Sequence, residues 1–191
     1  MKKSFLLASL VSGLIALPGF AALEEGNSAP TFTAQASLDG QEFTYSLQDS
    51  LNNGPTVVYF YPSAFTRGCN IQAKTFADNM DRFREAGASV VGVSLDSIER
   101  LNDFSADPEY CAGELPVVSD ESGSIAQSYD LDVAAGRDGM LDTRGVEIGH
   151  GFAERTTFVV NTDGSIAAVV GGVSPEENVM QSLAVIQGMS M

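Results

Sequence analysis

Two thiols and one imidazole are the side chains of this 191-residue chain with the most evident capacity for chemistry: Cys69, Cys111 and His150. A deprotonated thiol is a strong nucleophile and is also the form that binds metals. Neither cysteine belongs to a Cys-x-x-Cys pair, and two cysteines with one histidine at no ligand spacing argue against a zinc site. The residue types therefore favour thiol chemistry, and no metal or other cofactor is expected.

Cys69 is predicted to lie in the first turn of a helix that follows a buried strand. Residues 56–61 are apolar, aromatic or β-branched and uncharged, which is typical of such a strand, and Pro62 ends it because proline cannot donate to a sheet ladder. Four large apolar residues then recur at near-helical spacing, namely Ile71, Phe76, Met80 and Phe83. Free N–H groups and the helix dipole at a helix start stabilise a thiolate, and Arg67 is a candidate for a second positive charge.

The same stretch resembles the active site of a known family. Pro62-x-x-x-Thr66-x-x-Cys69 matches the pattern of the peroxiredoxins, the alkyl hydroperoxide reductase C and thiol-specific antioxidant superfamily. Residues 60–62 (Phe-Tyr-Pro) and 65–66 (Phe-Thr) are similar to the peroxiredoxin Q and bacterioferritin-comigratory-protein branch. The resemblance runs from about Gly26 to the C-terminus, and it implies a thioredoxin-like α/β fold with a central mixed sheet flanked by helices.

The resemblance implies a role for four residues. Cys69 would attack a peroxide and become a sulfenic acid, Thr66 would hold the peroxide and the thiolate, and Pro62 would shield the site from water. Arg155, at the start of a predicted strand, would reach the cysteine and stabilise its negative charge. From the residues alone, Cys69 could equally be a structural cysteine, Thr66 a helix cap, Pro62 a strand terminator and Arg155 a surface residue.

Cys111 decides the subclass, and two further positions bear on the substrate preference. The resolving cysteine of the peroxiredoxin Q branch often lies five residues after the first, but Lys74 stands there in this chain. Cys111 lies at a place similar to the resolving thiol of some atypical two-cysteine members; its alternatives are a free thiol in a one-cysteine enzyme or a permanent structural disulfide. Relatives often carry an acid in place of Gln72 and a proline in place of Arg67, which leaves the substrate preference open.

Strands alternate with helices along the rest of the chain and end in a hairpin. Residues 32–36 and 42–45 flank Asp39-Gly40, which predicts an N-terminal β-hairpin. Asp96 or Ser97 is expected to cap the helix after the next strand, and Ser174 the last helix. Residues 106–113 are expected to be flexible. Residues 130–151 are glycine-rich and predict a long surface loop that could contain a short strand. His150 is interpreted as a loop residue, since an ionised thiolate needs no base.

The N-terminus is predicted to be a secretory signal. Lys2 and Lys3 precede an apolar run over residues 5–17, and residues 19–21 (Gly-Phe-Ala) suit cleavage after Ala21; an uncleaved anchor is the alternative. With the signal removed, residues 22–191 are expected to form one domain. The protein would then be exported to the periplasm and would make no membrane contact after cleavage. The formal net charge of −15 makes nucleic acid an unfavourable partner.

Together these features predict a thiol-dependent peroxidase of the cell envelope. Its expected partners are hydrogen peroxide or organic hydroperoxides and an external thiol reductant, and it would be a monomer or a homodimer. Two alternatives share the fold: a thioredoxin-like thiol–disulfide exchange protein, disfavoured because there is no Cys-x-x-Cys motif, and a non-catalytic binding module with a structural Cys69–Cys111 disulfide.

Overall fold

The computed structural model describes residues 22–189, so the predicted signal sequence lies outside the described residues. The strands are β1 (Thr33–Leu38), β2 (Gln41–Ser46), β3 (Thr56–Phe60), β4 (Ser89–Ser94), β5 (Val117–Ser119), β6 (Val133–Ala134), β7 (Phe152–Ala153), β8 (Thr156–Val160) and β9 (Ile166–Gly171). The helices are α1 (Leu47–Leu51), α2 (Arg67–Glu85), α3 (Ile98–Ala106), α4 (Ser124–Ser128) and α5 (Pro175–Met189). None of the helices within the described part of the chain combines the length and the apolar character that crossing a bilayer requires.

Seven strands of the described chain form one mixed sheet in the order β2-β1-β5-β4-β3-β8-β9. The central pairs β3–β4 and β4–β5 are parallel, whereas β8 runs antiparallel to β3 and places Thr156 opposite Phe60. Arg155, the residue before β8, therefore lies near the end of β3 from which the chain continues to α2. This mixed sheet flanked by helices confirms the predicted thioredoxin-like fold.

Strand β3 lies at the centre of the core because both of its faces are covered. Val57 and Tyr59 face a cluster that includes residues of α2, α3 and α5, while Val58 and Phe60 face a second cluster that includes residues of α1 and α4. A strand buried on both faces reads as a continuous apolar run, which is the pattern of residues 56–60. The strand that leads to Cys69 thus lies in a closely packed part of the core.

Local turn and cap signals are confirmed. Asp39 and Gly40 both have positive φ, 50° and 73°, as a two-residue hairpin turn requires, and β1 pairs with β2 across them. Ser97 caps α3, since its hydroxyl accepts from the Arg100 N–H at 3.4 Å. Ser174 and Glu177 form reciprocal bonds at the start of α5, of 3.3 and 3.1 Å.

Two segments are only partly as predicted. After Ala106, residues 107–113 contain no helix or strand, as the proline and glycine there predicted; they form a turn in which the Ala112 and Gly113 N–H groups donate to Asp107 O at 2.9 Å and Ser105 O at 2.8 Å. The segment 130–151 contains the short strand that its prediction allowed, since Val133 and Ala134 pair with the strand that follows it, but it is only partly a surface loop because Asp142 and Ile148 are buried.

Candidate active site

Cys69 is the third residue of α2 and is buried, with 1% of its surface exposed. The chain leaves β3 through Tyr61, whose N–H still bonds to Val93 O at 3.1 Å, and turns at Pro62 into a loop that ends at the helix. The buried strand and the helix start therefore fix the sulfur at the carboxyl end of β3, as the sequence predicted.

Arg155 reaches this sulfur from the neighbouring strand. It immediately precedes β8, and its Nη2 donates to Cys69 Sγ at 3.3 Å. A guanidinium is always charged and only donates, so a fixed positive charge lies beside the sulfur. The structure thus rejects the alternative of a strand-end surface arginine and brings two predicted site residues together.

Gln72 and Gly68 complete this arrangement, and no pattern in the sequence indicates their roles. Gln72 lies one turn after Cys69, is fully buried, and accepts through Oε1 from Arg155 Nη1. A Cβ on Gly68 would lie only 3.1 Å from Arg155 Nη2. The glycine therefore leaves the space in which the guanidinium passes beside the helix.

The other residues predicted near the sulfur are placed less closely. Thr66 is the N-cap residue of α2, but its hydroxyl makes no cap bond and donates instead to Ser63 O at 2.8 Å, which leaves its oxygen lone pairs available to accept. Pro62 is half-buried where β3 turns into the loop. Arg67 is exposed on the first residue of α2.

The loop between β3 and Cys69 is held in a strained conformation at Phe65, whose φ is +59°. A non-glycine residue in this left-handed region costs about 1–3 kcal/mol and persists only where its surroundings enforce it. Thr143 supplies part of that support, because its N–H and its hydroxyl both donate to Phe65 O, at 2.9 and 2.8 Å. The Arg144 guanidinium carbon also lies 3.2 Å from the Phe65 ring centroid.

A buried carboxylate holds the residues just before Phe65. Asp96 accepts from the Ala64 N–H at 2.7 Å and from the Ser63 hydroxyl at 2.8 Å. Arg100 Nη2 donates to Ala64 O at 2.9 Å, and its Nε lies 2.8 Å from Asp96 Oδ1, as an ion pair without hydrogen-bond geometry. Asp96 was a candidate helix cap; it instead fixes the loop that carries the site.

His150 is the other partner of Asp96, so its description as a plain loop residue is incomplete. Its Nε2 lies 2.8 Å from Asp96 Oδ1 and its Nδ1 lies 2.6 Å from Gly151 O. A carboxylate and a carbonyl can only accept, so both ring nitrogens donate and the imidazole is charged. Burial alone would lower the pKa of His150, but the hydrogen bond and charge of Asp96 outweigh it and raise this pKa.

The reciprocal effect acts on Asp96. Burial alone would raise its pKa, whereas the bonds from His150, Ala64 and Ser94 together lower it. This pair ties the segment 130–151 to the loop before Cys69. No sequence pattern marks this contact, because 54 positions separate the two residues.

Cys111 lies fully buried in the same apolar cluster as Cys69, and both thiols are free. Burial, aided by the charge of Asp107, raises the pKa of Cys111 far above its ordinary value, so this thiol is neutral at neutral pH. The preceding Tyr110 places its ring 5.6 Å from that of Phe65. The two cysteines are thus electrostatically unlike: one faces a guanidinium and the other an apolar interior.

A comparison with protein families decides what this arrangement is. The AhpC/TSA family matches residues 26–169. The chain belongs to this family and is a peroxiredoxin. It is 30% identical over 174 residues to a chloroplastic 2-cysteine peroxiredoxin of Chattonella marina var. antiqua, covering 86% of this chain and 79% of that protein. It is 31% identical over 173 residues to chloroplastic peroxiredoxin Q of Sedum lineare, covering 89% of this chain and 81% of that protein.

Solved structures place this peroxiredoxin in the Q and bacterioferritin-comigratory-protein branch. Peroxidoxin BcpB from Mycobacterium tuberculosis superposes with a TM-score of 0.71 at 27% identity, over 87% of this chain and 98% of that one. The Xanthomonas campestris bacterioferritin comigratory protein gives a TM-score of 0.63 at 25% identity, over 82% and 92% of the two chains. The peroxiredoxin is accordingly a thiol-dependent peroxidase.

Proposed function

We propose that Cys69 is the nucleophile with which this peroxiredoxin reduces hydroperoxides. The single observation that carries the assignment is the 3.3 Å contact between Arg155 Nη2 and Cys69 Sγ. A fixed cation beside the sulfur stabilises the reactive thiolate before peroxide arrives and then the negative charge that develops on the leaving oxygen. Cys111, whose thiol is buried in an apolar cluster and has a raised pKa, is unsuited to the first step.

The first step transfers one oxygen atom. The Cys69 thiolate attacks one peroxide oxygen, the O–O bond breaks, and the other oxygen leaves with a proton from solvent as water or an alcohol. Cys69 becomes a sulfenic acid, so the sulfur is oxidised by two electrons and the peroxide is reduced by two. The Thr66 hydroxyl oxygen can accept a hydrogen bond from the incoming peroxide. Pro62 has no N–H, which limits the number of polar groups at the mouth of the site.

Cys111 resolves this intermediate. Its thiol attacks the Cys69 sulfenic acid, a disulfide forms, and water leaves. A disulfide requires the two Cα atoms to come within about 7 Å, and both cysteines are buried in packed segments. We expect the first turn of α2 and the Phe65 loop to open locally before the sulfurs meet. An external thiol, either a thioredoxin-like protein or a small molecule, then reduces the disulfide and restores both thiols.

The cellular setting is inferred from the sequence alone. The charged and apolar pattern of residues 1–21 supports export through a cleaved signal, and hence antioxidant defence in the periplasm of a bacterial envelope. The protein would act there as a monomer or homodimer on hydrogen peroxide and organic hydroperoxides.

Peroxide consumption driven by dithiothreitol, combined with mass spectrometry, tests the residue assignments. The wild type should turn over peroxide, and Cys69→Ser should not, while it keeps the native circular dichroism spectrum. In the wild type, one equivalent of peroxide should either add one oxygen atom to Cys69 or convert Cys69 to a disulfide. Equal turnover by Cys69→Ser would overturn the assignment. Export is checked separately, by the N-terminal sequence of the protein recovered from the periplasm.

A further inference from the structure

The Arg155 guanidinium is the end of a chain of hydrogen bonds whose middle members are buried. Arg155 Nη1 donates to Gln72 Oε1, and Gln72 Nε2 donates to Asn178 Oδ1 at 2.8 Å. Asn178 Nδ2 in turn donates to Val170 O at 2.8 Å. The chain thus connects the contact partner of Cys69 to the backbone of β9 by way of helices α2 and α5.

Both ends of this chain fix the direction of every bond in it. The Val170 carbonyl can only accept, so Asn178 must turn its NH2 group toward β9 and its oxygen toward α2. Gln72 must then offer its NH2 group to that oxygen, which leaves Oε1 for Arg155. A guanidinium can only donate, so it demands this same orientation from the opposite end. Two amides that could each be flipped are therefore held in one arrangement.

The middle of the chain is buried and uncharged. Gln72 and Thr157 are fully buried and Asn178 is 1% exposed. Thr157 reinforces the centre, because its hydroxyl donates to Asn178 Oδ1 at 2.6 Å. A buried polar group that loses its partner is costly, so the amides cannot turn away without leaving donors and acceptors unsatisfied. The network adds no negative charge beside the guanidinium, which keeps its full positive charge for the sulfur.

We propose that Asn178, on α5, is a positioning residue for the peroxidase reaction: it fixes the Gln72 amide, which in turn holds the Arg155 guanidinium with Nη2 at the Cys69 sulfur. Asn178 touches neither the sulfur nor the substrate position. It acts only through Gln72, so its effect should appear as a change in how well Arg155 stabilises the thiolate. This assignment depends on the peroxidase role of Cys69 proposed above.

The test is Asn178→Leu, read by the pH midpoint of Cys69 alkylation and by the second-order rate with hydrogen peroxide. Tyr59 is also in electrostatic contact with Cys69, but burial raises the pKa of Tyr59, so its phenol stays neutral in this measurement. We expect the midpoint to move to higher pH and the peroxide rate to fall about tenfold, as for loss of a hydrogen bond that supports a charged group. If Asn178→Leu fails to fold, Asn178→Ser replaces it, because a serine is too short to bridge Gln72 and Val170.

Ser182→Ala is the matched control. Ser182 is buried one turn later on α5, and its hydroxyl donates to the main-chain oxygen of Asn178 at 2.8 Å rather than to the amide chain. It should lower the stability of the protein without moving the alkylation midpoint. A shift of equal size in this control would show a general effect of loosening α5 and would overturn the proposal.

A double-mutant cycle shows whether Asn178 acts through Gln72. In a Gln72→Met background the chain is already broken, so Asn178→Leu should have no further effect on midpoint or rate. Additive effects of the two substitutions would reject the relay. Wild-type turnover separates this proposal from the previous one: absence of turnover in the wild type would reject the peroxidase assignment, whereas normal turnover with an unshifted Asn178→Leu midpoint would reject only the positioning role.

Discussion

His150 Nε2 lies 2.8 Å from Asp96 Oδ1, and this pair joins the segment after β6 to the loop before Cys69. The pKa of His150 is raised in the folded protein above its ordinary value of 6.5. Its contribution to stability is therefore fully present below about pH 6.5 and is lost as the pH rises through the higher folded-state pKa. The pKa of Asp96 is lowered, so its contribution is present above its ordinary value of 3.8 and is lost as the pH falls through the lower folded-state pKa.

This linkage predicts how stability varies with pH. In a Cys69→Ser background, which removes the reactive thiol, the free energy of unfolding in urea should fall as the pH rises above about 6.5. His150 is the sole histidine of the chain, so His150→Gln should abolish the part of this fall in unfolding free energy that comes from titration of an imidazole. At pH 6 this substitution should cost about 1–3 kcal/mol, as for loss of a hydrogen bond between charged groups. The same pH slope in both proteins would contradict the charged pair.

Asp96→Asn should be strongly destabilising. It leaves the half-buried charges of Arg100 and His150 without the buried carboxylate that they share, and breaking a buried ion pair from one side costs about 3–5 kcal/mol. Urea unfolding at pH 7 measures the loss. Asp103→Asn is the control, because the Asp103 side chain is 72% exposed and lies 3.6 Å from Arg144; it should change stability by less than about 1 kcal/mol.

The parts of the site that the sequence predicts are those set by local pattern. The apolar run of β3, Pro62 and the helix spacing place Cys69, and the family pattern adds Arg155. Contacts between distant segments carry no such signal. Asp96 and His150 are 54 positions apart in the sequence, and Gln72 and Asn178 are 106 positions apart. The fold brings each pair together, and no single residue type specifies the turns and loops that do so.

Contacts between distant segments also shape residues 106–113. A proline and a glycine there predict little regular structure, and the segment is indeed a turn, but the sequence does not show what it packs against. The Tyr110 ring stacks on Phe104 at 5.5 Å and meets Phe65 edge-on. Tertiary packing therefore decides the state of this segment, and Cys111 is buried despite its polar neighbours in the sequence.

Arg155→Ala should slow the reaction with peroxide about a hundredfold or more, because it removes a fixed donor from the place where negative charge develops. It should also shift the pH midpoint of Cys69 alkylation upward. Arg155→Lys should recover only part of the rate, since an ammonium is a point charge that cannot hold Gln72 and Cys69 with the geometry of two guanidinium nitrogens. An unchanged midpoint in the alanine variant would mean that Arg155 does not influence the sulfur in solution.

Gly68→Ala should separate stability from activity. Alanine favours a helix over glycine by about 1 kcal/mol, but a Cβ here would lie 3.1 Å from Arg155 Nη2 and displace it by a few tenths of an ångström. We expect a slower peroxide reaction, measured by stopped-flow, in a protein that is not less stable. Gly188→Ala on α5 is the control, because its Cβ would meet open space and should leave the rate unchanged. Equal rates in both variants would show that Gly68 is not needed for the guanidinium.

Cys111→Ser tests the resolving step. The substitution leaves Arg155 and Cys69 untouched, so the first peroxide reduction should remain as fast as in the wild type. Without a second thiol the sulfenic acid cannot be converted to a disulfide within the chain, and excess peroxide should drive Cys69 to sulfinic acid. Stopped-flow rates and the mass of the Cys69 peptide provide the two readouts.

Peptide mapping of the wild type after one equivalent of peroxide completes this test. An intramolecular Cys69–Cys111 disulfide is the expected product, and because both thiols are buried in the reduced protein, hydrogen exchange of the first turn of α2 and of residues 106–113 should increase when it forms. The turn over residues 106–113 must loosen because Tyr110 packs on Phe65, and Phe65 belongs to the loop before Cys69 that has to open. A Cys69 sulfinate beside a free Cys111 would make this a one-cysteine enzyme, and a disulfide between two chains would assign the resolving step to a homodimer.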